Sequence, residues 1–64
     1  MFSFGEKFKE LWAKIPTIVT YWDYIVLANA IDDASTGYEI TPRDETVLLQ
    51  ALEMFKTARN IKDE

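Results

Sequence analysis

The residues best equipped for chemistry are five carboxylates crowded around one connection: Asp32, Asp33, Glu39, Asp44 and Glu45. Two close carboxylates can divide the roles of general acid and general base when their surroundings push their pKa values apart. Such a pair also needs a pocket and a partner group to orient it. The chain has no His and no Cys, so it lacks the commonest general base and any thiolate nucleophile. Ser3 and Ser35 read as a helix cap and a loop residue. The five acids therefore read as a solvated loop that also caps a helix. No catalysis, metal or cofactor is expected.

Helix, acidic loop, helix invites comparison with a calcium-binding EF-hand, whose loop needs Gly at position 6 and a bidentate Glu at position 12. Counted from Asp33, position 6 is Tyr38 and position 12 is Asp44. Counted from Asp32, Gly37 falls at position 6, but Ala34 and Arg43 then stand where ligands belong. Neither register works.

The elements around these acids carry clear boundary signals. Ser3 followed by Glu6 has the spacing of a capping box. Phe4, Phe8, Leu11, Trp12 and Ile15 then fall on one helical stripe, so a first helix is expected over residues 4–15. Pro16 ends it by removing an N–H and crowding the turn before it. A second helix is expected over residues 17–35, with Thr17 as its cap. Ile18, Val19, Trp22, Ile25 and Val26 share one side of it, and Tyr21, Tyr24, Leu27, Ala28 and Ile31 line the other. Residues 18–26 are also rich in strand formers, but no turn signal interrupts the run for a dozen residues and more, so length favours helix. Gly37 is placed for a left-handed cap, and Tyr38-Glu39-Ile40 for a short extended link.

The third helix, over residues 42–60, has the best-written start. Thr41 is the cap, Pro42 holds the first helical position, and Asp44 and Glu45 sit at the positive end of the helix dipole. Val47, Leu48, Ala51, Met54, Phe55, Ala58 and Ile61 form the expected buried stripe. Leu49 and Leu52 lie off it or at its edge, where they could meet another chain. Lys56, Arg59 and Lys62 complement the negative end of this helix. Tyr38-Glu39-Ile40-Thr41, with Asp44 and a long helix after it, resembles the start of the long helix in Hha-type bacterial regulators. The likeness spans residues 38–44, mostly capping chemistry. It implies a small helical protein that binds a nucleoid protein, and it transfers no functional residue.

The expected fold is therefore all-α: one domain over residues 1–64, a compact three-helix bundle or a helical hairpin with an N-terminal amphipathic arm. A chain of 64 residues without Cys or His has neither disulfide nor imidazole metal site to staple it. Self-association is the staple left over, so an oligomer is expected, a homodimer being the simplest. Tyr21, Tyr24, Leu27 and Ile31 are the residues expected to need a second chain's cover, because the helix is apolar on both sides.

The net charge is −4, which argues against direct nucleic-acid binding. The charge is uneven. Residues 1–14 carry Lys7, Lys9 and Lys14 against Glu6 and Glu10, and residues 56–64 carry Lys56, Arg59 and Lys62 against Asp63 and Glu64. Between them only Arg43 faces Asp23, Asp32, Asp33, Glu39, Asp44, Glu45 and Glu53. No signal peptide or membrane span is expected, and the cytoplasm is the expected compartment.

These features point to a non-enzymatic protein-interaction module: a small acidic regulator, inhibitor or adaptor of the phage or bacterial accessory type, bound to a larger protein, to itself, or to both. The expected contact residues are Phe4, Phe8, Trp12, Tyr21, Tyr24, Leu27, Leu49 and Leu52, with Asp32, Asp33, Glu39, Asp44 and Glu45 as an acidic surface. Two other readings stand beside it. Residues 3–15 could anchor the chain to a membrane surface. The acids, with Asp23, could imitate nucleic acid in a basic groove.

Overall fold

A computed structural model describes residues 5–62. They form three α-helices, α1 (Glu6–Lys14), α2 (Tyr21–Thr36) and α3 (Pro42–Ala58), with a 3-10 turn at Ile15–Thr17 between the first two. No strand occurs among the described residues. The all-α expectation holds, and the strand formers at 18–20 lead into a helix that starts at Tyr21.

Helix α1 starts later than its sequence pattern implies. Gly5 occupies the cap position and contributes no side-chain bond. Ser3 and Phe4, expected as cap and contact residue, lie outside the described residues. At the other end Pro16 acts as expected and tightens the chain into the 3-10 turn.

The restart differs from expectation. Thr17 is not the cap of α2; its hydroxyl donates back to the Lys14 carbonyl at 2.6 Å. Ile18 is extended and buries its side chain. The cap is Thr20, whose Oγ1 accepts from the Asp23 N–H at 3.2 Å. The Asp23 carboxylate accepts from the N–H groups of Thr20 at 3.1 Å and Val19 at 3.0 Å. This is a capping box with Asp in place of Glu. These two N–H groups hold the Asp23 carboxyl below its ordinary pKa, Thr20 having the larger effect and Val19 the next.

The end of α2 also corrects the sequence reading. Gly37 has φ −85° and is not left-handed. The left-handed residue is Tyr38, at φ 62°. The Tyr38 N–H donates to the Ser35 carbonyl at 3.1 Å and the Glu39 N–H to that of Ala34 at 2.8 Å. Those two bonds define a Schellman motif with Tyr38 where Gly is usual. Residues 38–40 are thus folded back rather than extended, which lets Ile40 plug the core.

Helix α3 begins as expected, with Thr41 Oγ1 accepting from the Asp44 N–H at 3.1 Å and Pro42 in the first turn. It ends at Ala58 in a second Schellman motif with Asn60 at φ 57°. The face it buries is turned by roughly one residue's 100° from the expected stripe. Leu48 and Leu52 are fully buried, and Leu49, Ala51 and Phe55 pack beside them. Val47, Met54 and Ala58 are exposed. Apolar residues surround much of α3, so the pattern alone does not select the inward side.

Three tertiary contacts select it. The Tyr24 hydroxyl donates to Glu53 at 2.9 Å. Lys56 Nζ lies 5.3 Å from the centre of the Tyr24 ring and 5.9 Å from that of Tyr21. Arg59, just past the helix, donates to the carbonyls of Pro16 and Ile18, the latter at 2.8 Å. The turn at Pro16 frees these carbonyls, and the guanidinium satisfies them. Its Cζ also sits 5.3 Å from the Phe55 ring centre.

The core consists of Phe8, Leu11, Ile15, Ile18, Leu27, Ile31, Ala34, Ile40, Leu48 and Leu52. Helices α2 and α3 form its most extensive pairing. Leu27 and Ile31 are therefore covered by their own chain, and the expectation that they need a second one is overturned. No described helix is long and apolar enough to cross a membrane.

Candidate interaction surfaces

The residues expected to form a contact surface separate into three groups. Phe8, Leu27 and Leu52 are buried in the core. Tyr21, Tyr24 and Leu49 are half-buried and occupied within the chain. The two tyrosine rings stack at 5.6 Å, and the Glu53 carboxylate holds the Tyr24 hydroxyl above its ordinary pKa by accepting a hydrogen bond from it, with burial adding to the shift. Of those among the described residues, only Trp12 stands out, 46% exposed, its ring stacked on Phe8 at 5.9 Å. With Phe8, Lys9 and Val47 it lines a cleft of about 410 Å³ between α1 and α3.

A second exposed apolar strip lies elsewhere. Trp22 is 72% exposed, Val26 48%, and Val19, just ahead of α2, 73%. At 100° per residue Trp22, Val26, Asn29 and Asp33 share one narrow ridge of α2, and all four are exposed. Beside this ridge, Lys14, Thr17, Ile18 and Ala30 help to line a cleft of about 270 Å³. The Trp12 and Trp22 clefts flank opposite sides of α1, because Trp12 and Lys14 diverge from its buried Leu11 in opposite directions. A signal for this ridge was present in the sequence. Asn29 and Asp33 are polar residues in register with Trp22 and Val26, whereas the line Leu27, Ile31, Ala34 has none.

The acidic residues are dispersed in role. Asp32, Asp33 and Glu39 are exposed, whereas Asp44 and Glu45 are half-buried in the first turn of α3. Glu39 helps to hold the Lys7 ammonium above its ordinary pKa, behind the larger effect of the 3.1 Å bond from Lys7 to Glu10. Asp32 and Asp33 make no ion pair among the described residues. They sit near the C-terminal end of α2, which has no base in its last turn. Their charges therefore oppose both each other and the helix dipole. Among the described residues, no group of three or more acidic side chains is placed to hold a metal ion.

Comparison with protein-family models, with curated proteins and with solved structures finds no match. The likeness over residues 38–44 coincides with the end of one helix and the cap of the next, where Thr41 binds the Asp44 N–H.

Proposed function

We propose that this chain is a non-enzymatic protein-interaction module, a small acidic regulator, inhibitor or adaptor that occupies a surface on a larger protein. The observation that carries this reading is Trp22, largely solvent-exposed on a well-capped helix and flanked by Val19 and Val26. Tryptophan is the residue most enriched at binding hot spots, and an exposed apolar strip on a small domain is a common mark of a contact site. Trp12 on the opposite flank of α1 offers a second anchor. The lack of His and Cys supports the non-enzymatic part.

Membrane anchoring through residues 3–15 draws no such support. Phe8, Leu11 and Ile15 are in the core, so presenting them to a bilayer would pull α1 away and open the side chains they cover, such as Ile31 and Leu48, to water. The test is capture from lysate of the source cell by immobilised wild type, Trp12→Ala and Trp22→Ala, each first shown to be helical by circular dichroism. A defined partner retained by the wild type and lost with one tryptophan is the expected result. An identical captured set for all three chains and for the double variant would sink the proposal.

A further inference from the structure

We infer that the outer ridge of α2 docks a basic amphipathic segment of a partner protein, its apolar side chains on Trp22 and Val26 and its Lys or Arg side chains over Asp32 and Asp33. This rests on the interaction reading above and gives the partner a chemistry.

The ridge is graded along its length. Its N-terminal half is apolar, with Trp22 and Val26 beside the 270 Å³ cleft. Its C-terminal half is polar, with Asn29 and Asp33 in line and Asp32 next to them, all exposed. From Trp22 to Asp33 the ridge spans about 16 Å, three turns of helix. A matching segment carries apolar residues at helical spacing and a basic residue two to three turns away, the pattern of helix-in-groove recognition.

Charge chooses between this occupant and a second copy of the chain. Helix α2 holds Asp23, Asp32 and Asp33 and no base. Parallel pairing of two α2 ridges would set Asp33 against Asp33. Antiparallel pairing would press Asp33 of each copy onto the Val19 and Trp22 of the other, desolvating a carboxylate against apolar surface with only Lys14 of that copy near by. Asp23, itself a carboxylate, adds to the repulsion. A basic segment relieves what a second copy aggravates: it neutralises two adjacent carboxylates that repel each other at the negative end of a helix dipole. An anionic lipid surface would meet the same repulsion as a second copy.

The test uses the Trp12→Phe variant, in which Trp22 is the sole tryptophan. The probe is a synthetic amphipathic peptide of leucine and lysine, titrated while Trp22 emission is followed. Saturable binding with a blue shift is expected, weakening as salt rises. Asp32→Asn with Asp33→Asn, and separately Trp22→Ala followed by calorimetry, should each weaken binding at least about tenfold. Equal binding of a leucine–glutamate peptide of the same pattern overturns the inference. So does leucine–lysine binding that survives both substitutions. Light scattering that shows a dimer abolished by Trp22→Ala overturns it in favour of a second copy. If lysate capture depends on Trp22 but the basic peptide does not bind, the basic partner falls and the interaction module stands. If capture ignores both tryptophans, both fall.

Discussion

The two faces of α2 are made of similar residues and have opposite fates. Leu27, Ile31 and Ala34 are sealed against α1 and α3, while Trp22 and Val26 stand in water one half-turn away. Hydrophobicity alone does not separate them. What separates them is the polar hardware around the inner face. Tyr24 binds Glu53, Lys56 lies over both tyrosine rings, and Arg59 ties the end of α3 to the turn before α2. The outer face has no such closure, and its own line of residues ends in Asn29 and Asp33.

The largest effect should come from the inner face. Ile31→Ala is expected to cost about 2–5 kcal/mol, by lost burial and by the cavity it leaves. A chain of this size has only about 3–5 kcal/mol in total, so much of the variant should be unfolded. Trp22→Ala removes a larger side chain, yet should change stability by no more than about 0.5 kcal/mol, because the ring is mostly in water. Urea titration followed by circular dichroism reads both. A loss above about 2 kcal/mol for Trp22→Ala would erase the distinction between the faces.

Arg59→Ala comes next, at about 1.5–3 kcal/mol, because it leaves the Pro16 and Ile18 carbonyls without their charged donor. Both bonds leave one nitrogen, Nη1, so Arg59→Lys should recover part of this; the rest is lost with the planar group that lies over the Phe55 ring. Equal stability of Arg59→Ala and wild type would mean that the clamp does not set the orientation of α3.

The cap of α2 should contribute about 1 kcal/mol through Thr20, lost in Thr20→Ala. It should also shape the acid limb of stability. Asp23 has a lower pKa folded than unfolded, so its contribution is complete above the ordinary Asp value and is lost as pH falls through the folded one. Asp23→Asn should flatten stability against pH in that acidic window. Thr20→Ala should keep the slope, because the backbone N–H groups of Thr20 and Val19 are the larger causes of the shift. Denaturant midpoints collected from neutral pH into acid distinguish the two variants.

Much of this architecture is legible in the sequence where local chemistry decides it. Pro16 stops a helix, Thr41-Pro42 starts one, and the 3.6-residue period announces α1. Legibility fails where distant residues decide. Thr17 and Thr20 are both credible caps, and the choice depends on the 3-10 turn around Pro16 and on burial of Ile18. The sequence pattern puts Val47 and Met54 in the buried stripe and Leu52 at its edge, whereas the contacts of Tyr24, Lys56 and Arg59 turn Leu52 inward and leave Val47 and Met54 exposed. For the same reason the pattern of α2, apolar on both sides, does not tell that Leu27 and Ile31 are closed by their own chain while Trp22 and Val26 stay open. Among the acids, Asp44 and Glu45 are legible as the first turn of α3, where the structure places them, and Asp32 and Asp33 are exposed near the end of α2.

A small effect of the opposite sign should appear where the two faces of α2 meet its end. Tyr38 is left-handed at φ 62°, a conformation that costs an L-residue about 1–2 kcal/mol. Its side chain is 94% exposed, so little packing is lost with it. Glycine avoids the steric penalty but loses more backbone entropy on folding, about 0.5–1 kcal/mol. Tyr38→Gly should therefore stabilise the fold by roughly 0.5–1 kcal/mol, the difference between those two costs. In a domain this small that raises Tm by about 3–6 °C. Asn60 holds the equivalent place after α3 at φ 57°, but Asn tolerates that conformation, so Asn60→Gly should gain less. Thermal melts of the two variants side by side isolate the point. If Tyr38→Gly lowers Tm, the exposed ring supports the turn after α2, and the boundary between the closed and open faces extends beyond the helix to residue 38.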